Sequence, residues 1–347
     1  MKNKKKYVLM FLFFVLIIFF TLFNILDHNS LSSIIDNIKK INIIYIFICL
    51  LIIFLYFLLQ GIYMKSILNA LKKKISLKKG MFYSIIEFYF SGITPSSTGG
   101  QPVQLYYMTK DKIPMRKGYI TLMLNTIYFK LIILILGIIV LLFKSTYLFN
   151  HSVVYIIFFI LGFVVDSLIV VGCFLLLFKQ NIIKKILKFI LKICNKFKFL
   201  SKKTKDLNIT TILNKYKDEL KFMSSNKKIV ILNFILTFIQ RLLLFSIAYI
   251  IYKSLGFNKY SYFDLLAIQV SVQIAIEALP LPGGAGLSEK MFLDIFITVF
   301  GISFADIGML LTRTFSFYIP LLVSGIIIVI NLFMSKKKVW KWKNIFP

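Results

Sequence analysis

Apolar residues run along this chain in long blocks separated by short lysine-rich segments. A helix needs about 20 apolar residues to cross the hydrocarbon core of a bilayer. Six blocks reach that length and predict full spans: Tyr7–Leu26, Ile41–Met64, Tyr119–Phe143, Val153–Phe178, Ile229–Tyr252 and Ile307–Met334. Two further apolar regions stop short. Met81–Thr94 is interrupted by Pro95-Ser-Ser-Thr-Gly-Gly-Gln-Pro102, and Leu265–Leu279 by Pro280-Leu-Pro-Gly-Gly-Ala-Gly286. Second short arms follow, Val103–Met108 and Leu287–Phe300. These arms are too short to cross, so the pattern predicts two Gly/Pro-broken re-entrant hairpins, 81–108 and 265–300. The expected fold class is an all-α polytopic membrane protein. It would be a single membrane domain over 1–347, with about six full transmembrane helices.

Composition agrees. Of the 347 residues, 59% are apolar and the mean hydropathy is +0.85, against about 45–50% apolar in soluble domains. That excess excludes a disordered chain and argues against a soluble enzyme. The net charge is +30, from 43 Lys and Arg against 13 Asp and Glu. Such a charge often means nucleic acid. Here the lysines flank apolar spans, so the expected partners are membrane phospholipids, above all anionic inner-leaflet lipid. The sparse arginine and abundant Ile, Asn, Phe and Tyr point to an AT-rich bacterial genome.

Lys and Arg concentrate in loops on the cytoplasmic side of a membrane. They cluster before Tyr7, between Lys65 and Lys79, between Lys110 and Lys117, and after Met334, and fifteen lysines lie between 179 and 228. The alternate loops hold only Lys39, Lys40, Lys144, Lys253 and Lys259. The expected location is therefore a bacterial cell membrane, multi-pass, with both termini cytoplasmic. The Tyr7–Leu26 block has no small-residue cleavage site before Asp27 and reads as a retained anchor. The first hairpin has basic flanks at both ends and the second does not, so the two should enter from opposite faces. Paired interrupted helices in two halves of a chain are a pointer to a transporter site. The 179–228 segment reads as a basic cytoplasmic loop. Its lysines 184, 185, 188, 192 and 196 lie at near-helical spacing opposite Ile183, Leu187, Ile190 and Phe197, which predicts an amphipathic helix on anionic lipid.

No cofactor or metal is expected. The three cysteines lack metal-ligand spacing, and no zinc motif, P-loop or nucleophile elbow occurs. Charges inside the spans carry more information, because they are costly in lipid and should face a polar cavity or pair internally. Lys130, Asp166 and Arg241 fall near mid-span, and Arg313 is shallower. Glu87 lies in the first broken arm, and Glu277 and Glu289 bracket the second motif. The first motif offers Ser96, Ser97, Thr98, Gln101 and Gln104 beside Gly99 and Gly100. Those two glycines are expected to permit positive φ and close backbone approach, with Pro102 in the first turn of the next helix. The second motif repeats this logic with Gly283, Gly284, Gly286 and Glu289. Helix starts of this kind bind phosphate. No residue is assigned a catalytic role.

The two motifs, Thr94–Met108 and Leu279–Phe292, resemble those of the lysylphosphatidylglycerol synthase transmembrane, flippase-like, family. That resemblance implies a membrane domain that moves lipids between leaflets, notably aminoacylated phosphatidylglycerol. In full-length members a C-terminal domain transfers lysine from its tRNA to phosphatidylglycerol. The chain ends about a dozen residues after Met334, which leaves no visible room for that domain. The commoner family form of the first motif has Gly-Glu followed by Arg, whereas this chain reads Gly100-Gln101-Pro102-Val103-Gln104. The second keeps the Pro-Gly-Gly-x-Gly-x-x-Glu pattern.

The leading expectation is a lipid translocase. One alternative is a phosphatidylglycerol lysyltransferase, which would add tRNA as a partner. Another is a non-transporting membrane protein that regulates a separate lipid-modifying enzyme through the 179–228 face. Antibiotic resistance through lower surface charge follows only for an aminoacylated lipid. The topology has a direct check. Reporters fused at either terminus should be accessible only from the cytoplasm, and external accessibility of either one contradicts the assignment.

Overall fold

The structure is a computed structural model that describes residues 42–94, 97–145, 153–179, 214, 216–221, 225–277 and 287–334. The Tyr7–Leu26 span, the Lys184–Lys196 helix, Pro95 and Ser96 of the first Gly/Pro motif and residues 278–286 of the second lie outside this set. Within it the protein is all-helical. The principal helices are α1 (Ile43–Ala70), α2 (Leu77–Gly92), α3 (Gly100–Lys110), α4 (Met115–Phe143), α5 (Val153–Phe178), α6 (Lys227–Ser254), α7 (Tyr262–Glu277), α8 (Leu287–Phe300), α9 (Ile302–Arg313) and α10 (Ile319–Met334). Among the described residues, five stretches are long and apolar enough to cross a membrane: α1, α4, α5, α6 and the run Ile302–Asn331. That last run spans α9 and α10 and contains a π-helical turn, Thr314–Tyr318. Pro320 follows it. Its missing N–H leaves the Ser316 carbonyl without its usual helical donor, and a widened turn relieves the clash.

The exposed surface of the spans is apolar, with Leu142, Leu168 and Ile43 all more than half exposed. In water that would be a liability, whereas a bilayer solvates it. Helix packing cannot then rest on hydrophobic burial alone and relies on close contact at small residues. Three contacts of this kind fix the bundle. A Cβ on Gly80 would lie 2.4 Å from the Gly61 carbonyl oxygen, so α1 and α2 touch backbone to backbone. A Cβ on Gly100 would lie 2.1 Å from Ser91 Oγ, which locks α3 against the last turn of α2. A Cβ on Gly162 would lie 1.8 Å from the Ile274 carbonyl oxygen, which sets α5 against α7.

Helix α4 acts as a ruler for the two interrupted regions. The roots of α2 and α3 lie at its N-terminal end, where Lys117 Nζ donates to the Leu71 carbonyl (2.5 Å) and Tyr83 OH donates to Asp111 (2.7 Å). The root of α7 lies at its C-terminal end, where Lys144 Nζ bonds Asp264 (2.7 Å). Tyr260 OH donates to the Thr298 carbonyl (3.0 Å) and ties the end of α8 to the same level. The hairpins are thus rooted at opposite ends of α4. The apolar core divides accordingly. One cluster gathers Tyr63, Tyr83, Met108 and Ile120 around the first hairpin. The other gathers Tyr252, Ile274, Ile295 and Phe296 around the second.

The helix limits move the expected arms slightly, since α2 starts four residues before Met81 and α3 three before Val103. Pro102 does sit in the first turn of α3, where its missing N–H costs nothing. One expectation is corrected. Gly99 has φ −83°, and the left-handed residue of the motif is Ser97, at φ 54°. The glycines are required for space and not for positive φ. The contact at Gly162 gives a test. Gly162→Leu should lower stability by about 1–3 kcal/mol or more. Gly172→Ala, on the same helix with open space around it, should be neutral or stabilising by up to about 1 kcal/mol. Thermal unfolding in detergent distinguishes the two.

Candidate functional site

The tips of the hairpins meet α4 within one turn of each other. At the start of α3, Gln101 Nε2 donates to Thr126 Oγ1 (2.5 Å). At the end of α7, Glu277 takes a hydrogen bond from Lys130 Nζ. Thr126 and Lys130 are four residues apart, about 6 Å along a helix. Both lie near the middle of α4.

Lys130 is the centre of an ion triad. Its ammonium bonds Asp166 Oδ1 on α5 (2.6 Å) as well as Glu277 on α7. Gln273, one turn earlier on α7, donates to the other Glu277 oxygen (2.8 Å). The Asp166 side chain is 0% exposed, and those of Lys130 and Glu277 are 12% exposed. Asp166 Oδ2 makes no hydrogen bond among the described residues. The geometry comes from the packing: Ile274, one turn before Glu277, sits against Gly162, one turn before Asp166, and against Gly137, two turns after Lys130.

A second charge pair stands beside the triad. Arg241, near the middle of α6, lies 4.0 Å from the centre of the Phe129 ring, and Phe129 precedes Lys130. Its guanidinium also reaches Tyr56 OH (3.4 Å) on α1. Glu87 of α2 interacts electrostatically with Arg241 and accepts a hydrogen bond from Ser91 (3.4 Å). The second hairpin thus brings its carboxylate into contact with a basic group on an unbroken span, and the first brings Glu87 within electrostatic range of another. Arg313 stands farther along an aromatic chain. It lies 5.0 Å from the Phe317 ring and 5.4 Å from Phe292, and Phe317 leads through Phe88 to Tyr56. Cations held on ring faces in this way are stabilised by about 0.5–2 kcal/mol each.

The first motif is stitched by short bonds. The Gly99 N–H donates to Thr94 Oγ1 (2.9 Å), and Ser91 Oγ donates to the Ser97 carbonyl (3.3 Å). Ser97 and Thr98 are exposed, Gly100 is buried, and Gln101 points at α4. Gln104 does not join them: it is fully buried against Met64 of α1 (3.9 Å to Sδ). Ser96, Gly283, Gly284 and Gly286 lie outside the described residues, as does the side chain of Glu289. Attention to charges alone missed the neutral and aromatic members, Tyr56, Thr126, Phe129 and Gln273. It also missed buried amide bonds such as Gln60 to Asn125 (2.9 Å) and Gln240 to the Tyr56 carbonyl (3.1 Å). The available signal was Asn and Gln inside apolar blocks. Among the described residues no group of three or more His, Cys, Asp or Glu could hold a metal ion.

Residues 7–324 match the family described as the lysylphosphatidylglycerol synthase TM region. The chain belongs to that family. It is also similar to a UPF0104 membrane protein of Archaeoglobus fulgidus, 22% identical over 260 residues, a match that covers 73% of this chain and 76% of that protein. The family match takes in both hairpins, the triad and Arg241 and Arg313. Within this family member Lys130, Asp166 and Glu277 form one bonded set, so single changes in it should be costly. Removing one partner of a buried ion pair costs about 3–5 kcal/mol. Lys130→Met should therefore destabilise strongly, and adding Asp166→Asn and Glu277→Gln should restore much of the loss. Unfolding in detergent measures both, and additive losses contradict the triad.

Proposed function

We propose that the protein is a lipid translocase, which carries a phospholipid headgroup between leaflets while the acyl tails stay in the bilayer. The observation behind this reading is the meeting of two oppositely rooted half-helix hairpins at mid-α4, flanked by buried charges of both signs. Broken helices at the middle of a bundle leave backbone donors and polar side chains where a spanning helix would have none. A headgroup replaces water at such a place only if the protein supplies its counter-charges.

Arg241 and Arg313 would hold the lipid phosphate, because guanidinium is more weakly hydrated than ammonium and suits phosphate geometry. The N-terminus of α3, with Ser96, Ser97, Thr98 and the Gly99 and Gly100 amides, would receive the phosphate at one stage of the passage. The Gly283–Gly286 segment before α8 would do the same on the other side. Glu87, Glu277 and Glu289 would meet an amine. A headgroup with both phosphate and amine fits this arrangement, and aminoacylated phosphatidylglycerol is the candidate that the family description suggests. The membrane would be a bacterial cell membrane, and the basic 179–228 loop would rest on its anionic inner face.

The test is leaflet exchange of labelled phospholipids in proteoliposomes. The wild-type protein should accelerate exchange, fastest for an aminoacylated lipid. Arg241→Gln should slow it by about tenfold or more, since a lost hydrogen bond to a charged group is worth about 1.5–3 kcal/mol. Unchanged exchange in a folded Arg241→Gln variant, or no exchange of any lipid by folded wild-type protein, would sink the reading.

A further inference from the structure

The charge balance of the triad leads to a further site. Two carboxylates, Asp166 and Glu277, share the single ammonium of Lys130. When fully ionised the group carries one excess negative charge in a largely buried position at the middle of the spans, which is strongly unfavourable. The neighbours do not cancel it. Arg241 on α6 shares the Phe129 ring with Lys130, and it interacts electrostatically with Glu87. On α5 the Cys173 thiol interacts with Lys130 and is neutral in its ordinary form. On α7 the uncharged Gln273 contacts Glu277. Residues 278–288, which continue from α7, contain no titratable side chain in the sequence, and the Glu289 and Lys290 that follow are of opposite charge. One oxygen of the group, Asp166 Oδ2, is fully buried and makes no hydrogen bond among the described residues.

We propose that the Lys130–Asp166–Glu277 triad binds one exchangeable proton, carried by the Asp166–Glu277 carboxylate pair, and that this proton is coupled to lipid movement. A proton added to the ion triad makes it neutral, and its binding requires only one free oxygen. A metal cation would need several oxygen ligands at once, and Lys130 already occupies the position between the two acids. Coupling follows from charge as well. A lipid amine approaching Glu277 competes with Lys130 and favours release of the proton, and departure of the amine favours its return. No bond other than O–H is made or broken. The coupling rests on the translocase reading, whereas the proton site stands independently of it.

Two measurements separate the parts. The first uses the purified full chain in lipid nanodiscs, followed by infrared difference spectroscopy during a pH titration in sodium-free buffer. A protonated-carboxyl band should appear and titrate in the wild type and be lost or shifted in both Asp166→Asn and Glu277→Gln. Circular dichroism and gel filtration check that each variant is folded. Absence of a titrating band, or a band unchanged in both variants, overturns the site. A spectral change that follows added sodium at fixed pH, and not pH itself, assigns the site to a metal cation and also overturns it. The second measurement imposes a pH gradient on the proteoliposomes. One pH unit should shift the steady-state leaflet ratio of the transported lipid by about tenfold per proton, and Asp166→Asn should abolish the shift. Exchange that ignores the gradient refutes the coupling while the band decides the site. A complete lack of exchange removes the coupling together with the translocase reading, and the band again decides the proton site.

Discussion

The ammonium of Lys130, held between Asp166 and Glu277, joins α4, α5 and α7 at the level where the hairpins end. Hydrocarbon offers no hydration, so a charge at this depth persists only if the protein surrounds it with partners. The need for partners dictates the packing around it. Gly162 and Gly137 bring α7 close enough for Glu277 to reach the lysine, and Gln273 fixes the carboxylate from behind. A larger residue at Gly162 would push α7 away and leave two acids and a base in the wrong places. Stability and the polar character of the bundle centre therefore depend on the same contacts.

The same logic shapes the first hairpin with different chemistry. Gln101 and Thr126 make a neutral bond where the second hairpin makes an ionic one. Glu87 on α2 interacts electrostatically with Arg241, whose guanidinium lies against the Phe129 and Tyr56 rings. The hairpins are thus alike in placement and unequal in charge. In the proposed translocase a headgroup passing between them would meet a neutral, hydroxyl-rich helix start from one side and an acid–base cluster from the other.

Much of the architecture was legible in the sequence because lipid imposes a simple length rule. The spans from Ile41 onward, the two short interrupted regions and the mid-span positions of Lys130, Asp166 and Arg241 all follow from counting apolar residues. Family membership was legible from the paired Gly/Pro motifs. Pairing was not legible, because it depends on helix rotation, which spacing alone leaves open. Internal pairing of the mid-span charges was expected as one option, but which charges pair and the aromatic seats of Arg241 and Arg313 were not. The glycines of the first motif were read as permitting positive φ and close backbone approach; only the close approach holds, with Gly100 against Ser91 and the Glu87 carbonyl and Gly99 against the Thr94 side chain. Gln104 was grouped with the motif by proximity in sequence, yet one helical turn rotates it away to Met64.

The central claim is that the hairpin tips stop at the middle of the bundle. Thiol cross-linking in native membranes tests it most directly, in a background lacking Cys49, Cys173 and Cys194. A short bismaleimide should join cysteines placed at Gln101 and Thr126 and should fail to join Gln101 with Lys144, at the far end of α4. Cross-linking of Gln101 to Lys144 in place of Thr126 would mean that α2 crosses the membrane completely, and the account of opposed half-helix hairpins would be wrong.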